Sequence, residues 1–249
     1  RGVDGNLWIW EGVDYSKSYM VVADVARGDG QDYSAFHIFD VDNAVQVAEY
    51  KGKLSPKEFG NVLVGIASEY NDALLVCENA NIGWATIEQI LEREYRNMYY
   101  SSNNNQETVE TYMSKFERDK LVPGFTMSVR TRPLVIAKMI EYVRDHSVTI
   151  QSKRLIQEMR VFIWRNGKAQ AQDRYNDDLI ISFATGLYVR DTALRLRQQG
   201  MDLARAQLSS FNNLNSRNNA VMQSVGSQRQ NPYLIKTNHG EEDITWLLK

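Results

Sequence analysis

Residues 19–26, Tyr-Met-Val-Val-Ala-Asp-Val-Ala, constrain the fold more than any other stretch, because every position but Asp24 is apolar or aromatic. An extended segment that is apolar on both faces reads as a buried central strand. Asp24 interrupts it. An unpaired carboxylate taken out of water costs on the order of several kcal/mol. Such a residue is kept by a basic partner, by a position at the strand's open end, or by a bound cation.

Around this strand the pattern alternates between sheet and helix. Residues 33–40 and 44–53 read as two further strands, split by an Asp42-Asn43 turn, so that the three form an antiparallel meander. Ser55, Pro56 and Glu58 make a helix start, with a capping hydroxyl, a proline in the first turn and an acid three residues after the cap. Phe59, Leu63, Ile66 and Ala67 follow at helical spacing. Residues 73–78 form another apolar strand, ending in Glu78. A crossover helix between it and the meander predicts that it joins the sheet parallel to the first strand.

Beyond it, the spacing predicts an amphipathic helix over 84–95, a short strand over 97–101 and a polar, mobile stretch over 103–111. Helices follow over 133–146, with Thr131 as its cap, and over 153–161. Asn166-Gly167 marks a hairpin over 162–172, in which Trp164 is expected to pack into the core. A last helix over 176–190 opens on Asn-Asp-Asp. From residue 207 to 232, 15 of 26 residues are Asn, Ser or Gln, too polar to offset the entropy of ordering. Residues 1–200 are therefore expected to form one domain and 201–249 a flexible polar tail, with 243–248 a short apolar anchor.

The net charge of -2 hides an uneven distribution. Residues 1–100 hold 8 Lys/Arg against 16 Asp/Glu, whereas residues 115–174 hold 13 against 6. An acidic half and a basic half suit a protein that gathers carboxylates for metal ions and keeps a cationic surface for a polyanion. The single cysteine excludes an internal disulfide and a thiolate zinc cluster, and the three histidines have no metal-motif spacing. No apolar run approaches the ~18 residues of a membrane span.

Three acids stand out by position. Asp24 lies in the first strand, Glu78 closes the later one, and Asp177-Asp178 open the last helix. Taken singly, each has an ordinary explanation: an ion pair, a solvated strand end, a helix cap. Taken together, acids on strand, strand and helix form an oxygen-only donor set, which suits Mg2+ or Mn2+, with two ions roughly 4 Å apart, the arrangement for in-line phosphoryl displacement. Asp178 is the better candidate to face a metal and Asp177 to cap the helix, although the sequence separates the two poorly.

Three segments carry a resemblance: Asp24-Val-Ala-Arg-Gly-Asp-Gly-Gln-Asp-Tyr-Ser34, Val76-Cys-Glu-Asn-Ala-Asn-Ile-Gly83 and Tyr175-Asn-Asp-Asp-Leu-Ile-Ile-Ser182. In this order they resemble the nuclease domain of the large terminase subunit of tailed phages, myoviruses especially, over roughly residues 15–195. The resemblance implies an α/β, ribonuclease H-like fold with a mixed central sheet flanked by helices. It makes Asp24, Glu78 and Asp178 the catalytic and metal-holding acids, with Asp32 and Asp177 in support. It implies a Mg2+- or Mn2+-dependent endonuclease using two ions. Such an enzyme cuts concatemeric viral double-stranded DNA during packaging, with little sequence preference, in the host cell cytoplasm.

The implied partners are double-stranded DNA and, in the full-length protein, an N-terminal ATPase domain, the portal and the small terminase subunit. No Gly-x-x-x-x-Gly-Lys-Ser/Thr phosphate loop occurs here, and the chain opens on Arg1 rather than Met. It is therefore expected to be a piece of a longer protein without its motor. Asn176 stands where the family commonly has histidine.

Arg130, Arg132, Lys138, Lys153, Arg154, Arg165, Lys168 and Arg174 are the candidate phosphate contacts. Three rival readings keep parts of the pattern. A resolvase or transposase shares the acids but not the Arg-Gly-Asp-Gly-Gln-Asp loop. An actin-like nucleotide binder uses Asp24 and the glycine-rich turn but has no need of Glu78. A docking domain that retained only the fold cleaves nothing.

Overall fold

Alternation along the central strand decides how the layers form. The computed structural model describes residues 5–28, 32–80, 82–101, 121–165 and 167–195, positions 198, 202 and 205–206, and the backbone of 108–109, 234–237 and 240–243. Strands β1 (Leu7–Ile9), β2 (Tyr19–Asp24), β3 (Ser34–Asp40), β4 (Val45–Gly52) and β5 (Leu74–Cys77) form one sheet in the order β1-β4-β3-β2-β5. β2, β3 and β4 are antiparallel neighbours, while β5 runs parallel to β2. The expected meander and parallel crossover are both present. Edge strand β1, antiparallel to β4, was not anticipated.

Successive strand residues point to opposite faces. Val21, Ala23, Leu75 and Cys77 face helices α1 (Pro56–Glu69) and α2 (Gly83–Glu92) in one core. Met20, Val22, Leu74 and Val76 face the other core. That core is built with helices α3 (Thr131–Arg144), α4 (Lys153–Arg160) and α5 over residues 178–195. A mixed sheet thus lies between two helical layers.

Local signals account for the element ends. The Ser55 hydroxyl accepts from the Glu58 amide and the Glu58 carboxylate accepts from the Ser55 amide, a reciprocal cap of about 1 kcal/mol. Ser152 caps α4 through Leu155. In α3 the cap differs from expectation. Thr131 is the first helical residue, and its amide donates to the Ser128 hydroxyl three positions earlier. Among the described residues helix α5 starts at 178, two residues later than expected, and is helical through 195, past the expected end at 190.

The hairpin over 162–172 consists of β9 (Phe162–Arg165) and β10 (Lys168–Ala171), with Arg165 opposite Lys168. Trp164 on it is 59% exposed, so the expectation of core packing fails. It shares its face with Phe162 and with its cross-strand partner Ala169, both packed on the core, but it lies one residue from the end of β9, where the ribbon runs out past that core. β6 (Tyr99–Ser101) pairs with β7 (Thr108–Val109) and β8 (Val122–Pro123) in a three-stranded sheet, which places part of the stretch read as polar loop in a strand. The rest of that stretch lies outside the described residues, as does 207–232. Contacts divide the chain into Arg1–Gln198 and Gln199–Lys249. Within the second unit β11 (Leu234–Thr237) and β12 (Gly240–Asp243) form an antiparallel hairpin, so the expected anchor over 243–248 begins inside a strand.

Candidate metal centre

Asp24 is the last residue of β2, and Glu78 directly follows β5. Because β2 and β5 are parallel, their carboxyl ends open at the same sheet edge, and the Glu78 amide donates to the Ala23 carbonyl at 3.1 Å. Both acids continue the face of Val22 and Val76, the face that α5 covers. The N-terminus of α5 carries Asp177 and Asp178 to the same place. A strand–strand–helix constellation therefore follows from period-two alternation plus one helix start.

Two clefts meet there. One of about 160 Å³ is lined by Asp24, Val25, Glu78, Ala80 and Ile82. A wider one of about 630 Å³ is lined by Asp24, Arg27, Asp32, Asp177 and Asp178 among others. Asp32, a supporting candidate, is exposed and faces this second cleft.

The backbone around Glu78 leaves no slack. A Cβ at Gly83 would lie 1.9 Å from the Glu78 carbonyl oxygen, so only glycine lets α2 start so close behind the acid. At Gly124, with a φ of +85°, a Cβ would lie 2.5 Å from the Cys77 carbonyl oxygen. The 122–126 segment then seals the flank of β5. Phe125 donates to the Cys77 carbonyl, and the Asn79 amide donates back to Phe125.

The electrostatics are those of crowded acids. Burial pushes the Asp24 carboxyl well above the usual carboxylate range, and the nearby charges of Glu78 and Asp178 push it further. Burial also raises Glu78, against the relief of a hydrogen bond from Asp24. Both carboxyls are thus held above their ordinary range by burial, and each charge adds to the cost of the other. Among the described residues, no Lys or Arg forms an ion pair with either.

Asp178 has different company. Its Oδ2 accepts from the Tyr33 amide at 3.3 Å and from Asn176 Nδ2 at 3.2 Å, and lies 3.7 Å from Lys51 Nζ. Burial raises its carboxyl, and Lys51 and Asn176 pull it back. Asp177 is taken by Arg132 at 2.8 Å, while its carbonyl accepts the first helical hydrogen bond, from Ile181. Asp177 thus holds the cap position through its backbone, while its carboxylate is committed to Arg132. As the side chains stand, no three His, Cys, Asp or Glu residues among those described converge tightly enough to hold an ion. Asp24 and Glu78 face each other, and Asp178 is drawn toward Lys51.

Sequence reasoning missed two members of the cluster, Lys51 and Glu158. Glu158, on α4, forms an ion pair with Lys51 and accepts from the Leu179 amide at 3.1 Å, capping α5. Burial lifts its carboxyl to about 7, against the pull of Lys51. A lysine near the end of a strand and a glutamate on an exposed-looking helix turn read as solvated surface, and nothing in the local pattern marks them.

The candidate phosphate contacts divide by environment. Arg130, Lys153, Lys168 and Arg174 are exposed. Arg165 pairs with Asp173 on the exposed hairpin. Lys138 is taken by Asp191 and Glu141. Arg132 lies against Asp177 and the Ala169 carbonyl, within the acid cluster. Arg154 is committed inside the fold. It pairs with fully buried Glu49 at 2.7 Å, donates to the Asn6 carbonyl and stacks over Trp8. Its place is structural, because removing it strands a buried carboxylate.

No protein-family profile matches the sequence. The fold is similar to that of the large terminase nuclease from thermophilic phage G20c with bound magnesium, at a TM-score of 0.57 and 17% identity over 74% of this chain and 87% of that one. It is similar to the large terminase nuclease domain of Thermus phage P74-26, at a TM-score of 0.53 and 19% identity over 72% and 83%. The G20c nuclease with bound zinc gives a TM-score of 0.51 at 17% identity over 72% and 85%. At these identities the likeness establishes a shared mixed α/β fold.

Proposed function

We propose that this chain is the nuclease domain of a phage large terminase, a ribonuclease H-like, divalent-metal-dependent endonuclease that cuts concatemeric double-stranded viral DNA during packaging. The observation that carries this reading is the shared sheet edge. Two buried carboxyls, Asp24 and Glu78, line one cleft there, and the N-terminus of α5 brings Asp178 into the adjoining cleft that Asp24 also lines. The solved nucleases of like fold, one of them with bound magnesium, support it.

The donor set fits hard cations. Crowded, buried, like-charged oxygens are stabilised by divalent charge, and Mg2+ or Mn2+ takes such ligands. Asp24, Glu78 and Asp178 would hold two such ions, with Asp32 and Asp177 in support. When bound, the ions supply Lewis acidity toward the scissile phosphate and its attacking water. The chain's own part is to hold both carboxylates on one face at one sheet edge. Arg132 holds Asp177 and offsets charge at Glu78.

Arg130, Lys153, Arg165, Lys168 and Arg174 are exposed and suit phosphate contacts along the duplex, which carry affinity but little sequence information. The ATPase domain, the portal and the small subunit belong to the same proposal, as does action in the host cytoplasm.

Plasmid cleavage tests the reading. Asp24→Asn, Glu78→Gln and Asp178→Asn should each lower Mg2+- or Mn2+-dependent cleavage by at least about 10³-fold while circular dichroism stays native. Cleavage by Glu78→Gln at the wild-type rate, together with tight ATP binding, would instead favour the actin-like alternative.

A further inference from the structure

The sheet places Lys51, Ala35 and Asp24 in one row: Lys51 of β4 pairs with Ala35 of β3, which pairs with Asp24 of β2. Directly opposed residues project to the same face. Ala35, in the middle, offers only a methyl group, which leaves room above it. Asp178 enters that room from α5, and Lys51 Nζ lies 3.7 Å from its Oδ2. On the other side the same ammonium is held by Glu158 of α4, whose second oxygen is fixed by the Leu179 amide at the start of α5. The Tyr33 ring lies 5.0 Å from the ammonium, and the Tyr33 amide donates to Asp178. The side chains of Lys51, Glu158 and Asp178 are only 16%, 12% and 13% exposed, so this is an enclosed charge cluster and not a surface pair.

We propose that Lys51 is a built-in counter-cation of the metal centre: it takes the place of positive charge beside Asp178 until divalent ions displace it, and Glu158 is the post that receives it. This rests on the nuclease reading. It explains why Asp178 is turned toward Lys51 while Asp24 and Glu78 face each other. Both Lys51 and Glu158 are positioning residues, acting through Asp178 and not on the reacting phosphate. A unit positive charge beside a divalent site opposes binding, so its removal tightens the site. Neutralising Glu158 removes the ammonium's second partner, leaves it to Asp178 alone, and weakens the site. The two substitutions therefore have opposite signs, which a merely structural role does not produce.

Calorimetric Mn2+ binding to the full chain without DNA reads this directly. Lys51→Met should lower the Kd on the order of tenfold, and Lys51→Arg should leave it within about twofold of wild type. Glu158→Gln should raise the Kd roughly threefold to tenfold, and that effect should shrink in the Lys51→Met background, where there is no lysine for Glu158 to hold. If Lys51→Met melts early, Lys51→Gln carries the same expectation. An unchanged or higher Kd in a folded Lys51→Met or Lys51→Gln variant overturns the proposal, as does a Glu158→Gln effect of equal size with and without Lys51. A wild-type chain that binds no Mn2+, or an Asp24→Asn variant that binds it like wild type, overturns the nuclease reading itself, and the proposal with it.

Discussion

Glu158→Gln should make the metal-free protein more stable at neutral pH than the wild type, by an amount that vanishes in acid. The Glu158 carboxyl is lifted from 4.5 to about 7 by burial. At about 1.4 kcal/mol per pKa unit, the difference corresponds to about 3 kcal/mol between folded and unfolded states. The sign follows from which state ionises first. Below pH 4.5 the carboxyl is protonated in both states and contributes nothing. Between 4.5 and about 7 the unfolded chain ionises while the folded one keeps its proton, so the fold loses stability. Above about 7 the loss is complete and constant.

A glutamine retains an oxygen for the Leu179 amide and cannot ionise. Loss of the Lys51 partner shifts the comparison mainly where Glu158 is charged, and that attraction is already included in its position near 7. Urea denaturation in EDTA, followed by tryptophan fluorescence, gives both stabilities from about pH 4 to about pH 8. The difference, variant minus wild type, should grow by up to about 3 kcal/mol across that range. A flat difference, or one that shrinks as pH rises, refutes the burial argument for this carboxylate.

Arg154→Met should destabilise the fold by about 3–5 kcal/mol, read by the same denaturation, because it strands the buried Glu49 carboxylate. Its DNA affinity, measured on the folded fraction, should stay near wild type. Single neutral replacements of Arg130, Lys168 or Arg174 should instead leave stability within about 0.5 kcal/mol and weaken duplex binding. Each should reduce the slope of log affinity against log salt by about 1, measured by fluorescence anisotropy.

How far the sequence alone reached can be argued residue by residue. Asp24 and Glu78 were legible because each breaks an otherwise apolar strand, and period-two alternation with one crossover helix is enough to put both on one face at one edge. The Ser55–Glu58 cap and the Asn166-Gly167 hairpin were legible because their chemistry is local. Lys51 and Glu158 were not, since the first reads as a strand-end charge and the second as one polar turn of a helix. Only the sheet register and the packing of α4 against the start of α5 bring them together. Arg154 was misread for the same reason. A basic residue on a helix looks solvated until its buried partner, 105 positions away, is known. Edge strand β1 has three residues, too few to show a period, and Trp164 lies one residue from the end of a two-stranded ribbon, which a hydrophobicity count cannot tell from a core strand.

Anomalous diffraction from crystals soaked in Mn2+ tests the central claim most directly. The account predicts manganese peaks in the cleft at the β2 and β5 ends, in contact with carboxyl oxygens of Asp24, Glu78 and Asp178, with Lys51 withdrawn onto Glu158. Saturating Mn2+ that leaves Asp24 facing Glu78 and Asp178 beside Lys51, with manganese found elsewhere or nowhere, would contradict it.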